Sequence, residues 1–180
     1  MLLAAGQSKR FGSNKLLYPY GGTALLERSA AAVIVAAKMS GQSALAVVAP
    51  DQPVAGQLLA ALGFDVVVNA NADEGIGSSI AVAAAVIPSG SVIICLADMP
   101  NVSAAHIQLV ASKTTSSDTV VISDFEGQLA PPSGFGEAYL PVLRALTGDQ
   151  GARAVINMAS AIHVVGERTM GVDVDCLADI

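Results

Sequence analysis

The chain has 180 residues, enough for one domain with a full hydrophobic core. Apolar residues make up 53% and charged residues 13%, which excludes a disordered or purely solvating segment. Fifteen Asp and Glu against nine Lys and Arg leave a net charge of -6, the wrong sign for coating nucleic acid or an anionic membrane.

Residues 2–4 read as a short buried strand, and the charges that follow them are on the wrong side for a secretory signal. A helix is predicted over 24–39, with Leu25, Leu26, Ser29, Val33 and Ala36 on one stripe and Thr23 as its N-cap. Its apolar part, 29–37, falls short of the roughly 20 residues that a membrane span needs. A cytoplasmic protein without a membrane partner is expected, and two cysteines, Cys95 and Cys176, fit a reducing compartment. Strands at 44–49, 65–68, 92–96 and 119–122 alternate with helices at 54–62, 78–86 and 104–112, the last capped by Ser103. The strands are Val/Ile-rich and read as buried on both faces. This rhythm predicts an α/β fold: three layers, a mainly parallel Rossmann-like sheet with helices on both faces. After Ser123 the rhythm breaks. Residues 124–136 contain Pro131-Pro132 and read as a loop or distorted strand; helices at 137–146 and 149–158 and strands at 162–165 and 172–174 follow. No repeat or linker divides the chain, so one domain over 1–180 is expected.

Ligands of open α/β sheets sit beyond the carboxyl ends of the strands, which selects residues 5–15, 69–79, Asp98, Asp173 and Asp175. The loop after the first strand opens on Ala5-Gly6 and carries Lys9, Arg10 and Lys15. Small residues let backbone N–H groups approach an anion, and Arg and Lys add the charge a triphosphate requires. The loop lacks the Gly-Lys-Ser/Thr ending of a Walker A motif, and an ordinary solvated loop is the alternative. Asp98, at the end of an apolar strand, reads as a Mg²⁺ ligand or as a turn cap before Met99-Pro100. Asp173 and Asp175, two apart in an extended run, would share one face and either a cation or solvent. Asp149 reads as a helix cap. His106 and His163 lack partners at zinc spacing, and Cys95 reads as a small core residue.

The pattern Leu3-Ala4-Ala5-Gly6-x-Ser8-x-Arg10-x-Gly12-x-x-Lys15 resembles the signature of the MobA-like nucleotidyltransferases. It is most similar to the molybdenum-cofactor cytidylyltransferase branch, whose loop reads LAAG rather than LAGG. The resemblance continues through Asn69 with Glu74-Gly75-Ile76-Gly77-Ser78-Ser79, then Leu96-Ala97-Asp98-Met99-Pro100, Pro131-Pro132, Leu146 to Arg153, and Asp173-Val174-Asp175. It implies the nucleotide-diphospho-sugar transferase type of fold and transfer of a nucleotidyl group with release of pyrophosphate. Leu3, Ala4, Ala5, Gly6, Ser8, Lys15, Asn69, Gly75, Ser78, Ser79 and Asp98 would then bind nucleotide, with Arg10 and Lys15 catalytic. Asp98 with Asp173 or Asp175 would hold Mg²⁺, and Pro132 and Arg153 would face the acceptor. Ala5 favours CTP. The implied partners are a molybdopterin-type phosphate acceptor and a molybdoenzyme or its chaperone.

Two other readings compete. Gly75-x-Gly77 followed by Asp98 is part of a dinucleotide-binding fingerprint, but Ile80 stands where its third small residue belongs. The same fold could also serve as a non-catalytic protein that binds the cofactor precursor.

Overall fold

The structure, a computed structural model, describes residues 1–6, 14–156, 160–176 and 179. The strands of the main sheet are β1 (Leu2–Leu3), β4 (Leu45–Val48), β5 (Asp65–Val68), β6 (Val92–Leu96), β7 (Val120–Phe125), β8 (Gln128–Phe135) and β9 (Ile162–Gly166). They lie in the order β5-β4-β1-β6-β8-β7-β9, and β8 alone runs antiparallel to its neighbours. A separate hairpin joins β2 (Pro19–Tyr20) to β3 (Thr23–Ala24). Its turn is Gly21-Gly22, both at positive φ, the backbone that a two-residue hairpin loop requires.

Helices α1 (Leu25–Met39), α2 (Pro53–Leu62) and α4 (Ala104–Lys113) cover one face, and α3 (Ile76–Ala85) and α5 (Leu140–Arg144) cover the other. Side chains alternate between these two layers along each central strand, because successive Cβ atoms point to opposite faces. Leu2, Ala46, Val48 and Cys95 join the α1/α2/α4 core, whereas Leu3, Val47, Val92 and Ile94 join the α3/α5 core. The expected three-layer α/β fold is present. Leu25, Leu26, Ser29, Val33 and Ala36 are all buried along α1, as their spacing predicts. No helix among the described residues is long and apolar enough to cross a membrane.

Several local expectations are corrected. The cap of α1 is Ala24, not Thr23: Thr23 is spent in the hairpin, and the Glu27 carboxylate accepts the Ala24 N–H at 2.8 Å. Ser103 does cap α4, accepting the His106 N–H at 3.2 Å. β5 is an edge strand, so Asp65 and Val68 are exposed rather than buried. Residues 128–135, read as a loop or distorted strand, form the strand joining β6 to β7. Pro131 and Pro132, linked by a cis peptide bond, occupy its bulge, where missing N–H groups cost no ladder bond. Residues 172–174 pair with no strand. The helix expected from 149 is instead a 3-10 segment, Gly148–Ala154, preceded by Thr147 and kinked at Gly151.

The glycines of Gly75-x-Gly77 serve packing. A Cβ on Gly77 would lie 2.7 Å from the Thr147 carbonyl oxygen, and one on Gly75 would lie 2.3 Å from Asp149 Oδ1. The N-terminus of α3 is thereby pressed flush against the turn at 147–149. Gly77 has an unstrained backbone, so Gly77→Ala sets the clash with the Thr147 carbonyl against alanine's better helix propensity, and the clash is the larger effect. The substitution is expected to destabilise the fold by about 1–3 kcal/mol, the cost of overpacking against backbone, read as a lower denaturation midpoint at unchanged m-value.

Candidate active site

The carboxyl ends of β1 and β6 lie side by side, with Leu2 opposite Cys95 and Leu3 opposite Leu96. The chain leaves β1 through Ala4 and Ala5, both buried, and surfaces at Gly6. The Ala5 methyl packs with Leu3, Val47, Ala49 and Ile80, so its contribution is to place backbone rather than to touch a ligand with its side chain. Gly6 has nothing within 4 Å of where a Cβ would stand, and its carbonyl accepts from Gln52 Nε2 at 3.2 Å. Gln52 is buried, and its other amide atom, Oε1, accepts the Ala49 N–H. This side chain ties the loop after β1 to the loop after β4, a role no sequence motif announced. Ser8 and Arg10 lie outside the described residues.

The chain next forms a short 3-10 turn, Lys15–Leu17, capped by Asn14 Oδ1 on the Leu16 N–H and anchored by the buried Leu16 side chain. That anchorage fixes the direction of Lys15. Its ammonium donates to Asp98 Oδ2 at 2.8 Å and to the Val174 carbonyl at 2.9 Å, and lies 3.5 Å from Asp175 Oδ1. Asp98 is positioned from two sides: Ser29 Oγ on α1 donates to the Ala97 carbonyl at 2.8 Å, and the Val174 N–H donates to the Asp98 carbonyl at 2.9 Å. The C-terminal segment is held here by the buried Val174 side chain and by Gln128 Nε2 on the Gly171 carbonyl. Asp179 Oδ2 turns the chain after Asp175 by accepting the N–H groups of Asp175 and Cys176.

Lys15, Asp98, Asp173 and Asp175, from three separate chain segments, thus converge. The Asp173 carboxyl is pushed up to about 6, first by desolvation and then by the Asp98 and Asp175 carboxylates, against the opposing charges of Lys15 and Arg153. A carboxyl with a raised folded pKa favours the folded state most where it is protonated. That contribution is whole below about pH 4 and is lost as pH rises through about 6. Asp173→Asn, which cannot ionise, is therefore expected to raise the melting temperature at pH 8 and to leave it unchanged near pH 4. Equal melting temperatures at both pH values would remove the charge cluster as the cause.

Arg153 Nη2 donates to the Leu129 carbonyl on β8, which brings its charge to the same side as the carboxylates. Pro132 is buried, and its carbonyl accepts from Ser123 Oγ at 2.7 Å. Since Ser123 donates there, it accepts from His106 Nε2 at 2.9 Å, which assigns the proton of a neutral His106 to that nitrogen. Burial lowers the His106 pKa. His106 therefore supports the proline segment from within the core. Cys95 is also a core group, its thiol pushed up to about 11 chiefly by burial.

Asn69, Ser78 and Ser79 are buried and satisfied among themselves. Asn69 Nδ2 donates to both serine hydroxyls, at 2.9 and 3.0 Å, and Asn69 Oδ1 accepts the Asn71 N–H. Ser78 in turn reaches the carbonyls of Asn71 and Gly75. The trio locks the loop between β5 and α3, and in this geometry its side chains shape that loop from below.

Among the described residues, no group of three or more His, Cys, Asp or Glu is spaced to hold a metal by protein atoms alone, although three carboxylates are near one another. The carboxylates nonetheless suit a hard divalent ion. Asp98 and Asp175 already flank a single cationic group, and Mg²⁺ characteristically combines one or two carboxylates with substrate phosphates and water.

Comparisons with known proteins bear on the fold and the family. The chain is 29% identical over 168 residues to the purine catabolism protein PucB of Bacillus subtilis, covering 87% of this chain and 78% of PucB. Rv0371c from Mycobacterium tuberculosis H37Rv, also solved as a manganese complex, superposes with a TM-score of 0.79 at 23% identity over 99% of this chain and 93% of that one. A nucleotidyl transferase from Methanothermobacter, Mth528, superposes with a TM-score of 0.79 at 20% identity, covering 99% and 91%. The model of the MobA-like NTP transferase domain matches residues 1–164, and the chain belongs to that family.

Proposed function

We propose that this nucleotidyltransferase moves CMP from CTP to the phosphate of a molybdopterin-type acceptor, with Mg²⁺ as the divalent ion. The observation that carries the reading is the Lys15 ammonium set between Asp98 and Asp175 beyond the ends of β1 and β6. Support for the base and acceptor comes from the LAAG form of residues 3–6 and from the segments at 131–132 and 146–153. The manganese complex of Rv0371c supports a divalent ion.

The acceptor phosphate is anionic near neutral pH and needs no protein nucleophile. One of its oxygens forms a bond to the α-phosphorus of CTP, the bond from that phosphorus to the α–β bridging oxygen breaks, and the electron pair leaves with pyrophosphate. Catalysis is then a matter of positioning and charge. Backbone around Ala5 and Gly6 lines the phosphates, held in place through Gln52. Lys15 turns to the α-phosphate, where negative charge builds, and Arg10 is assigned, from the sequence pattern alone, to neutralise the leaving pyrophosphate. Asp98 with Asp173 or Asp175 holds the divalent ion, which when bound neutralises phosphate charge as a Lewis acid. Pro132 and Arg153 border the acceptor, Arg153 as a phosphate ligand.

The test is pyrophosphate release from CTP, GTP, ATP and UTP, each with Mg²⁺ and with molybdopterin or a sugar phosphate as acceptor. Release fastest with CTP and molybdopterin is expected. Turnover confined to another nucleotide or to the sugar phosphate would replace the substrate while leaving the class of reaction in place.

A further inference from the structure

We infer that Lys15 is the resident counter-ion of the carboxylate cluster, holding the place that the divalent ion takes, and that nucleotide admits the metal by drawing this ammonium away. The inference rests on the proposed roles of Lys15 and the aspartates and adds an order to them. Its basis is geometric. One ammonium touches Asp98 Oδ2 at 2.8 Å and the Val174 carbonyl at 2.9 Å and stands 3.5 Å from Asp175 Oδ1. Two carboxylates and a carbonyl are the hard oxygen donors that a divalent cation would recruit. Asp98 cannot give the same oxygen at full strength to both cations, and two cations at such separation repel strongly in a partly buried site. The Lys15 and Asp98 side chains are only 12% and 26% exposed, so solvent screens that repulsion less on their side than at Asp175, which is open to water.

The triphosphate supplies what resolves the conflict. Its oxygens attract the ammonium, whose four-carbon stem swings from a fixed backbone turn at Lys15–Leu17. Asp98 and Asp175 are then free for the metal, which completes its shell from the same phosphates. Metal and nucleotide should consequently raise each other's affinity by one common factor. Without nucleotide, the protein carries its own cation and has little affinity for another. This keeps the carboxylates from collecting metal before substrate is present.

The test measures Mn²⁺ binding by the electron paramagnetic resonance signal of free Mn²⁺, in the absence of nucleotide. Lys15→Gln keeps a hydrogen-bond donor for Asp98 and Val174 but removes the charge. It is expected to bind Mn²⁺ at least tenfold more tightly than the wild-type protein. An affinity equal to or weaker than wild type in folded protein would overturn the inference and leave Lys15 as a pin for the C-terminal segment. A second measurement needs no variant: in wild-type protein with ¹³C-dimethylated lysines, saturating Mg²⁺ should shift the Lys15 resonance. Mg²⁺ that binds, by competition with Mn²⁺, without moving that resonance also overturns it. Pyrophosphate release by the wild type is followed in parallel. If no nucleoside triphosphate is turned over, the functional reading fails; if turnover is normal but Lys15→Gln gains no affinity, only the counter-ion role fails.

Discussion

Lys15→Ala is expected to lower turnover by about 100-fold or more at saturating nucleotide, the scale of removing one charge donor that acts on the transition state. The reason is positional. Lys15 is the described cation at the mouth of β1, and its direction is set by the Asn14 cap and the buried Leu16 rather than by the ligand. From so fixed a turn the four-carbon stem can swing only a short way, from the carboxylates to the phosphate where charge builds, so its loss falls mainly on turnover and less on the Michaelis constant. Pyrophosphate release, with circular dichroism to confirm folding, provides the measurement. Turnover within a fewfold of wild type would remove Lys15 from the chemistry.

Asp98→Asn is expected to cost a similar factor, about 100-fold or more, in metal-dependent turnover. Here the fold and the chemistry can be separated. The backbone carbonyl of Asp98 accepts the Val174 N–H, and Ser29 ties down the preceding carbonyl; neither bond uses the Asp98 side chain. Asparagine also keeps an oxygen for the Lys15 ammonium. The melting temperature should therefore change little while activity falls and added Mn²⁺ or Mg²⁺ no longer restores it. A collapsed melting temperature with intact metal dependence would mean that Asp98 is a structural turn residue.

Much of this was legible in the sequence for identifiable reasons. β6 has the bounds its apolar run predicts, because a central strand covered on both faces is continuously apolar, and the stripe on α1 is buried residue for residue. β5 keeps its predicted bounds but as an exposed edge, which its run of valines did not announce. β8 was not legible, since two prolines argue against any strand until a bulge is known to receive them. The hairpin at 19–24 carried a readable signal in Gly21-Gly22, but its strands are too short to show alternation. Within the site, Lys15 and Asp98 declared themselves by ending apolar strands or following them closely. Gln52 gave no such sign; its importance lies in a bond to Gly6, 46 residues away. Asn69, Ser78 and Ser79 were read as nucleotide contacts, yet in the structure Asn69 donates to both serines, and polarity in a sequence does not say which way a donor will point.

Gly171 rests against the ring of Phe125, and residues 172–175, which follow it, are not a strand. Asp173 and Asp175 lie in that run, beyond residue 164, where the family match stops. The run is nonetheless firmly seated: the Val174 side chain is buried in the α1/α2/α4 core, and its N–H and carbonyl bond Asp98 and Lys15. Two of the three carboxylates thus depend on how that one side chain seats, while the lysine is locked into the first crossover of the chain.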